Sequence, residues 1–197
     1  MDACGVGGGP CAVCSAPPNG TAVCEPTQAC GFVCDPGYSV CGAACCPTTG
    51  VQYYGNYGPL TGTGSYSASQ LCARPLSVTG TGTLLSTGII TQTAGVDVVM
   101  ALYTDAAGAP FTLVATSNQA TLNGGRLEIP TTTMPAIAPG AYWITVDFSG
   151  AATVFEDPTL TVTSYCASWP FGTSMPSTFP TTTSYLGRIA NYYISVQ

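Results

Sequence analysis

The chain has 197 residues, 46% hydrophobic and only 6% charged, with no histidine, no lysine and a formal net charge of −6. Its few cations, Arg74, Arg126 and Arg188, exclude the clustered positive charge that nucleic-acid binding needs. Without histidine or lysine there is no Ser-His, Cys-His or Schiff-base chemistry, and no run approaches the roughly 20 apolar residues of a membrane helix.

Nine of the eleven cysteines fall in the first 46 residues: Cys4, Cys11, Cys14, Cys24, Cys30, Cys34, Cys41, Cys45 and Cys46. This stretch is rich in Gly, Pro and Ala and too poor in aliphatic side chains to bury a core, so disulfides are expected to take over the stabilising role. Residues 1–50 are therefore expected to form a small, loop-rich, disulfide-rich module, secreted into an oxidising compartment or held at the cell surface. A zinc module is the rival reading, because Cys11 and Cys14 form a C-x-x-C pair and Cys30/Cys34 and Cys41/Cys45 are each separated by three residues. The absence of histidine and the surplus of thiols favour disulfides. If Cys72 and Cys166 pair with each other, nine cysteines are left, so at least one is free or bonded to another chain. Adjacent Cys45 and Cys46 are expected to take different partners.

The start, Met1-Asp2-Ala3-Cys4, lacks the basic and apolar regions of a signal peptide and is read as a processed or recombinant terminus. Asn19-Gly20-Thr21 is a sequon for N-glycosylation. Pro36-Gly37 supplies a turn across which Phe32 and Tyr38 can pack as a tiny core. The runs CSAPPNGTAVC (14–24) and CGFVCDPGYSVC (30–41) resemble the short cysteine-rich repeats of modular secreted bacterial proteins, and more distantly sushi and EGF-type modules. That resemblance implies spacing, adhesion or protein contact. The tryptophan of sushi modules is missing.

From Val51 onward the composition turns to strands. DVVMALYTD (97–105), FTLVATS (111–117), RLEIP (126–130), AYWITVDF (141–148), TLTVTSY (159–165) and NYYISVQ (191–197) are β-branched and aromatic runs. Turn signals separate them at Ala107-Gly108-Ala109-Pro110, Asn123-Gly124-Gly125, Pro139-Gly140 and Ser149-Gly150. No segment carries a helical period, so residues 51–197 are expected to form an all-β sandwich or barrel. The phrases ALYTDAAGAPFTLVATS and APGAYWITVDF resemble a jelly-roll-like module of secreted bacterial proteins. The fold expected is thus all-β, a jelly-roll-like β-sandwich behind the disulfide-rich module. The resemblance implies a noncatalytic role in attachment, sugar binding or assembly.

Two sets of side chains are candidates for a site. Tyr53, Tyr54 and Tyr57 in VQYYGNYG, with Trp169 and Phe171 in SWPFG, offer rings on which a pyranose can stack; Trp143, alternating with Tyr142, is expected in the core. Glu128, Asp147, Glu156 and Asp157 are the carboxylates a glycosidase pair would draw on, and nothing in their spacing pairs two of them. Asp147, Glu156 and Asp157 are also calcium candidates, although no D-x-D-x-D-G loop accompanies them. No cofactor is expected. The surface has few edge-blocking charges and no lysine, which favours pairing between strand edges. The expectation is a secreted, noncatalytic structural subunit at the cell surface that associates with itself or with other surface proteins. The alternative is a carbohydrate-binding module.

Overall fold

The structure is a computed structural model of the chain. It describes residues 50–197 throughout and, ahead of them, residues 3–4, 12–13, 15–18, 20–24, 30–34, 38–41 and 44–47. The chain divides into two compact units, Met1–Val51 and Gln52–Gln197.

In the first unit the described residues form three antiparallel pairs: β1 (Ala3–Cys4) with β2 (Ala12–Val13), β3 (Gly20–Cys24) with β4 (Cys30–Cys34), and β5 (Tyr38–Cys41) with β6 (Ala44–Pro47). Cys34 is bonded to Cys45 with the Cα atoms 5.6 Å apart, and Cys30 is also in a disulfide. This bond ties the β3–β4 pair to the β5–β6 pair. Phe32 is half-buried, while Val33 is exposed. Cys11, Cys14, Asn19 and the Pro36-Gly37 turn lie outside the described residues, as do the side chains of Cys4, Cys24, Cys41, Cys46 and Tyr38.

The second unit is all-β, with no helix, and consists of two sheets packed face to face. The smaller runs in the order β14 (Arg126–Pro130), β10 (Gly82–Ile90), β19 (Tyr192–Val196), β7 (Gln52–Gly55), with β15 (Ala136–Ile137) also paired to β10. The larger runs β12 (Ala109–Thr116), β11 (Ala94–Ala106), β16 (Gly140–Phe148), β9 (Gln70–Val78), β17 (Ala152–Ser168), β18 (Ser184–Ala190). To it are added β13 (Ala120–Asn123) on β11 and β8 (Gly62–Tyr66) on β17.

The period of two along each strand decides which side chains face the other sheet. On β16, Tyr142, Ile144, Val146 and Phe148 enter the core between the sheets; on β19, Tyr192, Ile194 and Val196 do. Trp143 is buried on the opposite face of the large sheet in a second cluster with Leu71, Ala73, Ala101, Tyr103 and Phe179. That face is apolar because residues 169–183 lie over it. Their backbone bonds to the edge of β12, with Leu113 N donating to Ser177 O (2.9 Å) and Phe179 N to Phe111 O (2.8 Å). Between β11 and β12 the turn is two residues, Ala107 and Gly108, at φ of 53° and 78°. Positive φ at both positions is the hairpin geometry that matches the twist of the strands.

Candidate functional site

The large sheet opens along a seam. β9 pairs with β16 from Cys72 to Val78, but with β17 only from Gln70 to Ala73. Beyond Ala73 the next residues are Arg74 and Pro75; proline has no N–H to give to a ladder, so it is tolerated where a strand has a neighbour on one side only. β17 bends away through a register shift between Glu156 and Thr161 and continues against β18. Cys72 and Cys166 are directly opposite in the last shared stretch and are joined by a disulfide.

Arg74 fills the seam. It is 6% exposed, and a buried charge is tolerated only when paired and hydrogen-bonded. Its Nε donates to the Arg188 carbonyl (3.1 Å) and its Nη1 to Tyr185 Oη (3.0 Å) and the Ala73 carbonyl (3.3 Å). Nη2 donates to Tyr66 Oη (2.9 Å), which in turn donates to Glu156 Oε1 (2.7 Å). Glu156, 5% exposed, lies 4.0 Å from Nη2, so the pair is linked chiefly through the tyrosine. Two glycines make room for these side chains. A Cβ at Gly64 would come within 2.1 Å of Glu156 Oε2, and one at Gly187 within 2.5 Å of Ser164 Oγ and 3.1 Å of Arg74 Cζ.

Burial works against the charge on Arg74, but the oxygens of Tyr66, Tyr192 and Tyr185 outweigh it and hold the pKa above its ordinary value. Desolvation also raises Tyr66 and Tyr192 well above the usual phenol range, so both keep their protons, and Tyr66 gives its proton to Glu156. The Tyr192 hydroxyl is buried close to that of Tyr66 and makes no hydrogen bond of ordinary geometry among the described residues. Two cavities meet at Arg74. One, about 350 Å³, is lined by Gln70, Tyr66, Glu156, Tyr185 and the disulfide; the other, about 280 Å³, by Pro75, Leu76, Ile144 and Tyr192. The seam thus presents hydrogen-bond donors and acceptors around one balanced charge pair. Comparison with protein families, with curated proteins and with solved structures finds no match to this chain.

The aromatic candidates are distributed otherwise. Tyr54 is 8% exposed and belongs to the core between the sheets, so its ring is not offered to a ligand. Tyr57 has both faces occupied: Tyr53 stacks on one at 4.1 Å between centroids, and Arg126 Cζ lies 3.8 Å from the ring centroid. Trp169 packs against the second cluster, and its indole Nε1 is buried without a partner. Tyr53, 40% exposed, and half-buried Phe171 retain open ring surface.

The three calcium candidates are not brought together. Glu156 serves the Arg74 network. Asp157 is exposed and accepts from Thr159 N, Thr159 Oγ1 and Leu160 N, which holds its pKa below the ordinary value. Asp147 is 2% exposed, and desolvation raises its pKa to about 6 against one backbone hydrogen bond from Phe148. Among the described residues no three His, Cys, Asp or Glu side chains converge as metal ligands would.

Arg74, Tyr66, Gln70 and Tyr185 were not among the sequence candidates. The run LCARPL did carry a signal, since an arginine inside an apolar strand requires a partner. β18 is the other feature sequence reasoning passed over. Among the described residues it pairs only with β17, leaving its outer side without a strand. Leu186 on this edge is 76% exposed, and Arg188 is its single charged residue.

Proposed function

We propose that the protein is a noncatalytic, secreted structural subunit that associates with further copies of itself through the outer side of β18. The observation that carries this reading is the contrast between the two ends of the large sheet. At the β12 end the edge is covered by residues 177–179. At the β18 end no further strand pairs among the described residues, the carbonyls of Arg188 and Ala190 accept from the side chains of Arg74 and Asn56, and a large apolar side chain, Leu186, stands exposed. Soluble β proteins blunt such edges with charges, bulges or a covering segment, and β18 carries one arginine. Two β18 strands related by a two-fold axis would extend the sheet across the contact, with the same residues buried on both partners. The disulfides Cys34–Cys45 and Cys72–Cys166 fit an oxidising, extracellular-type environment, which supports the same reading.

The test is light scattering and electron microscopy of the oxidised protein beside Leu186→Lys. The substitution places a lysine at an exposed edge position and leaves the core untouched. Dimers or larger assemblies are expected for the native chain, and monomers for the variant. A native chain that stays monomeric at high concentration, or an assembly indifferent to the substitution, would sink the reading.

A further inference from the structure

We propose that the seam beside Arg74 is a binding cleft for a neutral saccharide unit. The inference goes beyond self-assembly, and it moves carbohydrate recognition from the predicted aromatic residues to a cleft lined by other side chains. Inside the cleft the buried guanidinium of Arg74 and the buried carboxylate of Glu156, linked by Tyr66, balance each other. Exposed Arg188 stands at the rim with its carbonyl held by Arg74 Nε, so no buried charge is left uncompensated to select an ionic ligand. The polar inventory is not used up. Arg74 Nη2 has two protons and gives one to Tyr66 at hydrogen-bond distance, and among the described residues Glu156 Oε2 accepts no hydrogen bond. Hydroxyl groups, which donate and accept at once, are the chemistry that answers such a mixture.

The dimensions and the rim point the same way. The larger cavity, about 350 Å³, lies at the small end of the ligand-pocket range of about 300–1,000 Å³. Gly64 and Gly187 keep it open, because a side chain at Gly64 would strike Glu156 and one at Gly187 would strike Ser164 and crowd Arg74. At its margin exposed Gln70 offers an amide, and Tyr185, also exposed, offers an aromatic ring. A few convergent polar groups with an aromatic at the rim is the arrangement that orients a small polar ligand.

The experiment is an NMR titration of the full, oxidised, isotope-labelled chain. The probes are methyl α-D-glucopyranoside, methyl β-D-galactopyranoside and methyl α-D-mannopyranoside, with D-glucuronate as the charged comparison. At least one neutral pyranoside is expected to give saturable shifts at Gln70, Arg74 and Tyr185. Gln70→Ala, an exposed substitution, is expected to weaken binding about tenfold, the equivalent of one lost hydrogen bond, and Tyr53→Ala to leave it unchanged. Three results would overturn the proposal: no saturation by any neutral probe, tighter binding of glucuronate, or shifts that survive Gln70→Ala and disappear in Tyr53→Ala. Repeating the titration on Leu186→Lys keeps the two proposals apart, because the cleft is expected to bind equally well when self-association is lost.

Discussion

Desolvation lifts the pKa of Asp147 to about 6, above the value near 3.9 of an unfolded chain. The folded state therefore holds the proton more tightly, and stability falls as pH rises from about 4 to 6; above 6 the full penalty is present, and below 4 it is absent. On a scale of 1.36 kcal/mol per tenfold change in proton affinity the penalty is at most about 3 kcal/mol. Solvent screening reduces it to about 1–2 kcal/mol. Asp147→Asn should accordingly stabilise the protein by that amount at pH 7 and by almost nothing at pH 3.5, read from urea unfolding at each pH. An equal effect at both would place the cost in packing instead. The same scale shows what a sequence can say about an aromatic cluster. Tyr53 and Tyr54 are adjacent on β7, and a period of two sends neighbours to opposite faces, so only one of them could ever have faced solvent. That much was legible. The occupation of both faces of Tyr57 was not, because Arg126 reaches it from a strand remote in sequence.

Among the elements, strands rich in β-branched residues were legible and those interrupted by small residues were not. RLEIP is β14 as expected, and AYWITVDF falls within β16. TLTVTSY proved to be the second half of a longer strand, β17. β9 and β10 were missed. QLCARPLSV contains a proline and an arginine, and GTLLSTGII two glycines, residues that propensity counts against a strand. Tertiary context supplied what propensity withheld: the seam accommodates Pro75, and the Tyr193 ring lies over Gly88, where a Cβ would come within 2.0 Å of it. The segment after β17 has no regular structure for most of its length, yet it closes the second cluster through Phe179, 6% exposed, whose ring meets Tyr103 edge-on at 5.6 Å. Phe179→Ala is expected to cost about 3 kcal/mol or more. Hydrogen exchange would then show earlier opening of the amides of Leu113 and residue 179, which join the segment to β12, whereas unchanged protection of both would mean that the segment is held by its backbone bonds alone.

For the molecule as a whole, the all-β class followed from the spacing of strands and turns, but the strand order did not. Gln70–Ala73 pairs with Tyr165–Ser168 across more than half of the second unit, and local sequence carries no record of such a partner. The disulfide between Cys72 and Cys166 fastens this long-range pairing and closes a sequence separation of 94 residues. A loop of that length restrains the unfolded chain by about 4–5 kcal/mol in the chain-entropy model. Replacing both cysteines by alanine is expected to destabilise the protein by about 2–5 kcal/mol, lowering the melting temperature by roughly 5–15 °C. A double variant that melts with the native protein would show that the strands alone fix the register. The placement of β7 and β19 has a mechanical consequence. Gln52 is paired with Val196, so the two ends of the sandwich unit leave from one corner of one sheet. Tension applied between residues 52 and 197 would load the β7–β19 bonds one after another, as in a zipper, and not all together in shear. The unit would give way first at that corner, and the force would then pass to strands whose extension stops at the Cys72–Cys166 bond. The loop of 94 residues behind that bond would stay out of the line of force.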